Sequence, residues 1–164
     1  MRRLAIVAMY LALAFAGLAL ITFIAMRGSL PALDGERAVA GLAGVVTAER
    51  DAQGTLTLQA GSQADMARAL GFVHAQERYF EMDLGRRSAA GELAALFGPA
   101  ALQRDLLMRP HRLRARATAM LADLPADQRQ LLDAYVEGVT AGLSALNVRP
   151  WAYLPLRQRP QPWL

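Results

Sequence analysis

One stretch, residues 62–98, constrains the fold more than any other, because it predicts a long helix for the other elements to pack against. Ser62 and Asp65 form a capping pattern, in which a hydroxyl and a carboxylate bind amide groups that the first turn leaves unpaired. One stripe at three- and four-residue spacing contains Met66, Leu70, Val73, Glu77, Phe80, Glu81 and Leu84. Small side chains would let another element approach closely; they are Ala64, Ala67, Gly71 and Ala75.

Charged residues in this stretch lie within one helical turn of partners of opposite sign. The pairs are Asp65 with Arg68, Glu81 with Arg78, and Asp83 with Arg86 and Arg87. If exposed, each pair would add only about 0.2–0.5 kcal/mol to helix stability. Most of the stability of the predicted helix must therefore come from packing.

The same stretch carries a specific resemblance to a known family. Residues 71–78 read GFVHAQER, residues 81–94 read EMDLGRRSAAGELA, and Phe97 and Gly98 follow. This order of residues resembles a run near the start of penicillin acylase family precursors. The similarity extends back to residues 46–54 and forward through residues 124–139 to residues 159–163.

The resemblance implies an N-terminal-nucleophile hydrolase. In that family a precursor cuts itself and exposes a serine at the start of a second chain, whose α-amino group, with a pKa near 8, acts as the base. The nucleophile, most of the acyl pocket, the oxyanion donors and the calcium ligands lie beyond the segment matched here. The resemblance therefore places no catalytic, substrate-binding or metal-binding residue in this chain, and no cofactor, although the complete enzyme could bind calcium.

The first block of the sequence is hydrophobic enough to cross a membrane. Residues 4–26 contain no charge, and as a helix they would be about 35 Å long, against a hydrocarbon core of about 30 Å. A cleaved signal peptide is the alternative, although its apolar region is usually about 7–15 residues and the small-x-small site at residues 14–16 lies inside the run. Two arginines before the run and one after it favour a cytoplasmic N-terminus and an exported remainder.

The chain then divides into a connection and a domain. Residues 1–27 are the anchor or signal segment, residues 28–44 predict a tether with little regular structure, and residues 45–164 resemble part of a penicillin acylase α-chain domain. Runs prone to β-structure at residues 44–50 and 55–60 flank a turn in which Gly54 can supply a positive φ, which predicts a β-hairpin. Two strands alone are marginally stable, so the hairpin indicates a domain that lacks partner strands.

Helices dominate the remainder of the domain. The pattern predicts them at residues 92–97, 99–108, 111–121 and 125–146, followed by a proline-rich tail at residues 147–164 that suits an extended segment lying over another surface. The fold class is therefore α+β, a mostly helical fragment with an N-terminal hairpin. By resemblance, it is expected to complete the four-layer αββα fold of N-terminal-nucleophile hydrolases.

The residues by themselves offer little independent chemistry. No G-x-S-x-G motif accompanies the serines at positions 29, 62, 88 and 144, and His74 in mid-helix suits a partly buried histidine paired with an acid. The sequence contains no cysteine, and its two histidines are too far apart to predict a metal site. The arginines of residues 104–116 lack interleaved aromatics, so they predict a solvated face or an ion-paired surface rather than nucleic-acid binding.

Arg78, Arg86 and Arg87 are the candidates for buried or interface ion pairs, because the family run keeps arginines there and a guanidinium pairs a carboxylate through two bonds. Two functions remain open. The first is the N-terminal portion of a membrane-anchored or exported amidohydrolase, inactive alone, that acts on small amides such as β-lactam side chains or acyl-homoserine lactones with a downstream β-chain as partner. The second is a non-catalytic anchored helical interaction protein, or an inactive remnant.

Overall fold

The structure is a computed structural model that describes residues 2–163. Within these residues the chain forms six α-helices and one pair of strands. In order, they are α1 (Arg2–Gly28), β1 (Thr47–Arg50), β2 (Leu56–Gln59), α2 (Gln63–Ala90), α3 (Ala94–Phe97), α4 (Leu102–Met108), α5 (Leu113–Ala122) and α6 (Ala126–Ser144). The prediction of a mostly helical chain with one N-terminal hairpin is confirmed.

Helix α2 begins where the capping pattern predicts. The Asp65 amide donates a hydrogen bond to the Ser62 hydroxyl at 3.1 Å. The helix ends at Gly91, which adopts φ +68° and donates its amide to carbonyls of the last turn, a geometry that favours glycine. At Arg78 the backbone leaves helical geometry, with φ −135° and ψ 20°, so α2 consists of two segments joined by a kink.

Glycines allow α2 and α6 to pack with their backbones in contact. A Cβ on Gly71 would overlap the Tyr135 carbonyl oxygen, and a Cβ on Gly138 would overlap the Arg68 carbonyl oxygen. The expectation that small residues mark a close approach is therefore confirmed at Gly71. The predicted apolar stripe is less enclosed, and Leu70 is 37% exposed.

The core is small and lies between α2, α6 and the tail. Its buried members are Ala75, Tyr79, Leu96, Val139 and Tyr153. No residue of α5 is buried. Helix α5 therefore lies at the surface of the described part of the chain, where its polar contacts include the ion pair between Arg114 and Glu92.

The hairpin forms as predicted. Strands β1 and β2 are antiparallel, with Thr47 opposite Gln59 and Arg50 opposite Leu56. Gly54 adopts φ +83° in the turn, and the Asp51 carboxylate accepts hydrogen bonds from the amides of Gln53 at 3.0 Å and Thr55 at 2.7 Å. Within residues 2–163 the sheet has only these two strands, so both outer edges offer unpaired backbone groups.

Helix α1 is long and apolar enough to cross a membrane, with a mean hydropathy of 2.6 and none of its most apolar part buried. It runs to Gly28, one residue beyond the predicted anchor. As expected for the tether, residues 29–44 contain no helix or strand, but both ends of this segment contact the domain. Ser29 is only 5% exposed, and the Ala43 amide donates to the Asp65 carboxylate at 2.9 Å. Contacts with distant residues, which local composition does not report, hold this connection to the domain.

The tail is only partly extended. Residues Trp151–Tyr153 form a short 3-10 turn, which places the Tyr153 ring in the core with no exposed surface. Residues 158–163 form no helix or strand, and hydrogen bonds from Tyr79 and Arg86 to the carbonyls of Gln161 and Pro162 hold them along α2. The expectation of a segment lying over another surface is met, and that surface is the helix that organises the domain.

Candidate functional site

A buried carboxylate organises the polar part of the domain. Asp83, on the second segment of α2, has no exposed surface. Its Oδ2 accepts hydrogen bonds from Arg87 Nε at 2.8 Å and from the Tyr153 hydroxyl at 2.6 Å. Its Oδ1 accepts one from Arg86 Nη2 at 2.7 Å. We refer to Asp83, Arg86, Arg87 and Tyr153 as the Asp83 anchor.

The Asp83 anchor keeps its carboxylate ionised. Burial alone raises the pKa of Asp83, but hydrogen bonds from Tyr153, Arg87 and Arg86 outweigh burial and hold that pKa below its ordinary value. Burial also raises the pKa of Tyr153, as does the hydrogen bond to Asp83, so its hydroxyl stays a donor. A carboxylate between two guanidinium groups and a phenol is fully satisfied, which is the condition under which a buried charge is tolerated.

The same part of α2 binds the tail. The Tyr79 hydroxyl donates a hydrogen bond to the Gln161 carbonyl, and Arg86 Nη1 donates to the Pro162 carbonyl at 3.2 Å. The Arg86 guanidinium stacks over the Trp163 ring at 4.9 Å from its centroid, and Tyr79 contacts that ring edge to face at 6.1 Å between centroids. Arg86 therefore links the buried carboxylate to the tail near the surface.

Titration of the Asp83 anchor gives a testable dependence on pH. The folded pKa of Asp83 is lowered, so the unfolded chain binds more protons at acidic pH and stability falls with acidification. We expect the full contribution above pH 3.8, the ordinary Asp value, and its progressive loss as the pH falls through the lower folded pKa. Urea unfolding of the full chain in detergent micelles at several pH values would measure this loss. Tyr153→Phe should move it to higher pH, and an unchanged profile in that variant would contradict the assignment.

A second buried carboxylate fixes the helices after α2. Asp105, in α4, has no exposed surface and accepts hydrogen bonds from the amides of Leu93 and Ala94, both at 2.8 Å. Arg109 Nε donates to the Gly91 carbonyl at 3.1 Å. These bonds satisfy the amides at the start of α3 and hold α4 against the end of α2, so we assign Asp105 a structural role.

His74 is placed differently from the prediction of a histidine paired with an acid. Its Nδ1 lies 2.9 Å from the Tyr135 hydroxyl, on α6, and no acid bonds to it within residues 2–163. Burial lowers the pKa of His74, with a further contribution from Arg78, so the ring is neutral near neutral pH. The approach of α6 at Gly71 brings Tyr135 within reach of the ring, and this contact was not visible in the local sequence.

The three candidate arginines have different surroundings. Arg86 and Arg87 both contact Asp83, as described above. Arg78 lies at the kink of α2 with an exposed side chain, and the described residues include no ion pair to it. The expected pairing of Arg78 with Glu81 is absent from the described residues, because the kink takes Arg78 out of helical register.

The sequence predicted Asp83 as a partner of Arg86 and Arg87, and those arginines as candidates for buried or interface ion pairs, but it did not predict the hydrogen bond from Tyr153. In the structure the residues Gly71, Ala75, Tyr79, Asp83 and Arg87, spaced four apart, are all buried. The spacing was visible in the sequence, but spacing alone does not state whether these residues are covered. Tyr153 left no such signal, because its position depends on how the tail folds back.

An open groove lies beside the first segment of α2. Its volume is about 940 Å³, and its walls are the connection at residues 31–46, the hairpin, and the α2 residues Phe72, Val73 and Gln76. Within residues 2–163 no cluster of three or more His, Cys, Asp or Glu side chains could hold a metal ion. Neither histidine in this range is hydrogen-bonded to a serine hydroxyl. The described residues therefore contain an open groove and no serine–histidine pair.

Comparison with known proteins shows which family the sequence matches. Residues 45–164 match the sequence profile of the penicillin amidase family. The chain belongs to this family. Among curated relatives, penicillin acylase 2 proenzyme from Pseudomonas sp. (strain SE83) is 38% identical over 139 residues, 85% of this chain and 18% of the relative. Acyl-homoserine lactone acylase QuiP from Pseudomonas aeruginosa is 36% identical over 115 residues, 70% of this chain and 14% of the relative.

A solved structure shares the fold. The thermostable penicillin G acylase from Alcaligenes faecalis superposes with a TM-score of 0.64 and 29% identity, covering 73% of this chain and 65% of that chain. The chain spans less than a fifth of the length of the two curated relatives named above. The family resemblance of the central run is thus confirmed, and this penicillin amidase family chain corresponds to a part of its relatives.

Proposed function

We propose that this chain is the amino-terminal, α-chain portion of a penicillin acylase-like precursor that hydrolyses linear amide bonds, such as β-lactam side chains or acyl-homoserine lactones. The observation that carries the proposal is the 38% identity to a penicillin acylase proenzyme over 85% of this chain but only 18% of that relative. The relatives named for acyl-homoserine lactones support the second substrate class. The attacking serine then lies in the downstream segment, with its own α-amino group as the base.

In this proposal the chain supplies part of a shared core. The two free edges of the hairpin would pair with strands of the downstream segment, because unpaired edge groups favour strand addition. The half-exposed apolar stripe of α2 would be covered at the same time. The complete fold would then be the four-layer αββα arrangement, with calcium, if bound, held by the downstream segment.

The charged residues of α2 would mark the contact between the two segments. The Asp83 anchor fixes the tail at the surface of α2, and Arg86 reaches from the buried carboxylate to the Pro162 carbonyl. Arg78 is exposed beside the kink and would pair with a carboxylate of the downstream segment. An arginine fork suits this contact, since it binds a carboxylate through two parallel bonds.

For location we propose that α1 anchors the chain in the inner membrane with the domain in the periplasm or outside the cell. Arg2 and Arg3 precede the apolar run and favour a cytoplasmic N-terminus. Removal of α1 as a signal peptide would give a periplasmic domain instead. Mass measurement of the N-terminus of the exported protein distinguishes the two outcomes.

Co-expression with the segment encoded downstream tests the catalytic proposal. We expect the two polypeptides to co-purify and to release acid from a chromogenic acyl anilide, whereas this chain alone should release none. Co-purification without hydrolysis would instead support the second candidate, a non-catalytic interaction protein. The observation that favours this candidate is the pair of free hairpin edges, which a protein partner could extend whether or not it is catalytic.

Arg86→Ala tests the role of the charged residues in the complete precursor. The substitution removes the hydrogen bonds to Asp83 and Pro162 and the contact with Trp163. We expect association of the two segments and self-cleavage to fall by about tenfold, the effect of losing a hydrogen bond that involves a charged group. Arg116→Ala on the exposed helix α5 is the matched control and should leave both unchanged. Equal processing in both variants would remove Arg86 from the interface.

A further inference from the structure

A close contact joins the end of α1 to the loop after α6. The Gly28 carbonyl accepts a hydrogen bond from the Val148 amide at 3.0 Å. A Cβ on Gly28 would stand 2.7 Å from Val148 Cγ2, so a side chain at this position would push the Val148 side chain away. Ser29 follows directly and is 5% exposed. The end of α1 therefore rests against the domain and does not hang from a flexible connection.

Two polar atoms at this junction have no hydrogen-bond partner among residues 2–163. They are Ser29 Oγ and Arg149 Nε, and both are buried. Each residue directly follows, in sequence, one of the two residues that form the bond between Gly28 and Val148. Both atoms are enclosed by the chain itself, as are the unpaired Nε atoms of Arg68 and Arg86 elsewhere in the domain, so they indicate tight packing at the junction rather than an open binding site.

Exposed residues around the junction are of the kinds found at membrane surfaces. Arg27 lies in the last turn of α1 and is exposed, and Trp151 is 57% exposed. Trp151 is three residues beyond Val148 and so lies within about 11 Å of the contact with α1. The polar layer on each side of a bilayer is roughly 5–8 Å thick, and tryptophan and arginine are enriched there.

We propose that this junction seats the domain on the headgroups of the bilayer that α1 crosses. Phosphodiester groups would accept hydrogen bonds from Arg27 and Arg149, and Trp151 would lie in the interfacial layer. Arg149 is only half-buried, so a phosphodiester oxygen can meet its guanidinium group from the surface, and the continuity of the junction with α1 places lipid next to it. The inference rests on the proposed membrane placement of α1 and adds a fixed position for the domain.

Tryptophan quenching in lipid nanodiscs tests this seat. The chain has two tryptophans, so Trp163→Phe leaves Trp151 as the sole emitter. In nanodiscs of phosphatidylcholine and phosphatidylglycerol, we expect acyl chains brominated close to the headgroup to quench Trp151 and aqueous iodide to quench it weakly. Gly28→Val in this background should abolish the lipid quenching by breaking the junction. Gly17→Val is the matched control, since a Cβ there meets open space and quenching should persist.

Two outcomes would overturn the seat while the membrane proposal stands. In the first, iodide quenches Trp151 emission and brominated lipid does not, although α1 is protected from protease by the membrane. In the second, neither quencher reduces Trp151 emission, which would indicate that another protein segment covers Trp151. Loss of α1 from the purified full-length chain would overturn both proposals.

The headgroup charge gives an independent measurement. Titrating phosphatidylglycerol into detergent micelles that contain the Trp163→Phe chain should change Trp151 emission with saturation. Arg149→Gln should weaken this binding about fivefold, the effect of one arginine near an anionic surface. Arg116→Gln, on the exposed helix α5, should leave it unchanged. Equal binding by both variants, or no dependence on headgroup charge, would overturn the role of Arg149.

Discussion

Replacing Asp83 by asparagine is expected to destabilise the domain by about 3–5 kcal/mol, the cost of removing one partner of a buried ion pair. The amide has the size of the carboxylate but no charge, and Arg87 would stay buried without an ionic partner. Its NH₂ group would also face donors from Tyr153 or the arginines. Denaturant unfolding of the full chain in detergent micelles, followed by circular dichroism, measures the loss.

Glu81→Gln is the matched control for this substitution. Glu81 lies two residues earlier on the same helix and is exposed, so its replacement should change stability by no more than about 0.5 kcal/mol. A double change to Asp83→Leu and Arg87→Met should be less destabilising than Asp83→Leu alone, because it removes the more deeply buried of the two guanidinium groups that would lose their partner. A loss below about 1 kcal/mol in Asp83→Asn, within the range of ordinary surface hydrogen bonds, would mean that the Asp83 anchor contributes little.

Replacing Gly138 by alanine is expected to cost about 3 kcal/mol, the upper part of the range for overpacking a core. The added methyl would overlap the Arg68 carbonyl oxygen, and neither backbone can move without separating α2 from α6. Gly71 and Gly142 meet the opposite helix in the same way, so the separation would disturb three contacts together. The unfolding measurement described for Asp83 also reports this loss.

Gly85→Ala is the control that separates packing from helix propensity. Gly85 lies in the second segment of α2, is exposed, and has open space where a Cβ would be. Alanine there should stabilise the chain by about 0.5–1 kcal/mol, because glycine is the poorer helix former. The two alanine substitutions should therefore have opposite signs. Stabilisation by both would show that α2 and α6 do not depend on backbone contact.

The sequence determined those features that depend on neighbouring residues. Ser62 and Asp65 set the start of α2, Gly54 set the turn of the hairpin, and the length of the apolar run set α1. Each follows from hydrogen bonding, backbone conformation or hydrophobicity within a few residues. The family could also be identified, because its characteristic residues occur in a continuous order between positions 71 and 98.

Tertiary structure decided the burial of Asp83, the kink at Arg78 and the contact between Gly28 and Val148. Helical spacing states which residues share a face, but a pair four residues apart has the same spacing whether that face is covered or exposed. Only the return of the tail, which brings Tyr153 against the carboxylate, covers Asp83. The ion pairs of Asp83 with Arg86 and Arg87 would contribute little at an exposed surface, but with Asp83 buried the packing depends on them.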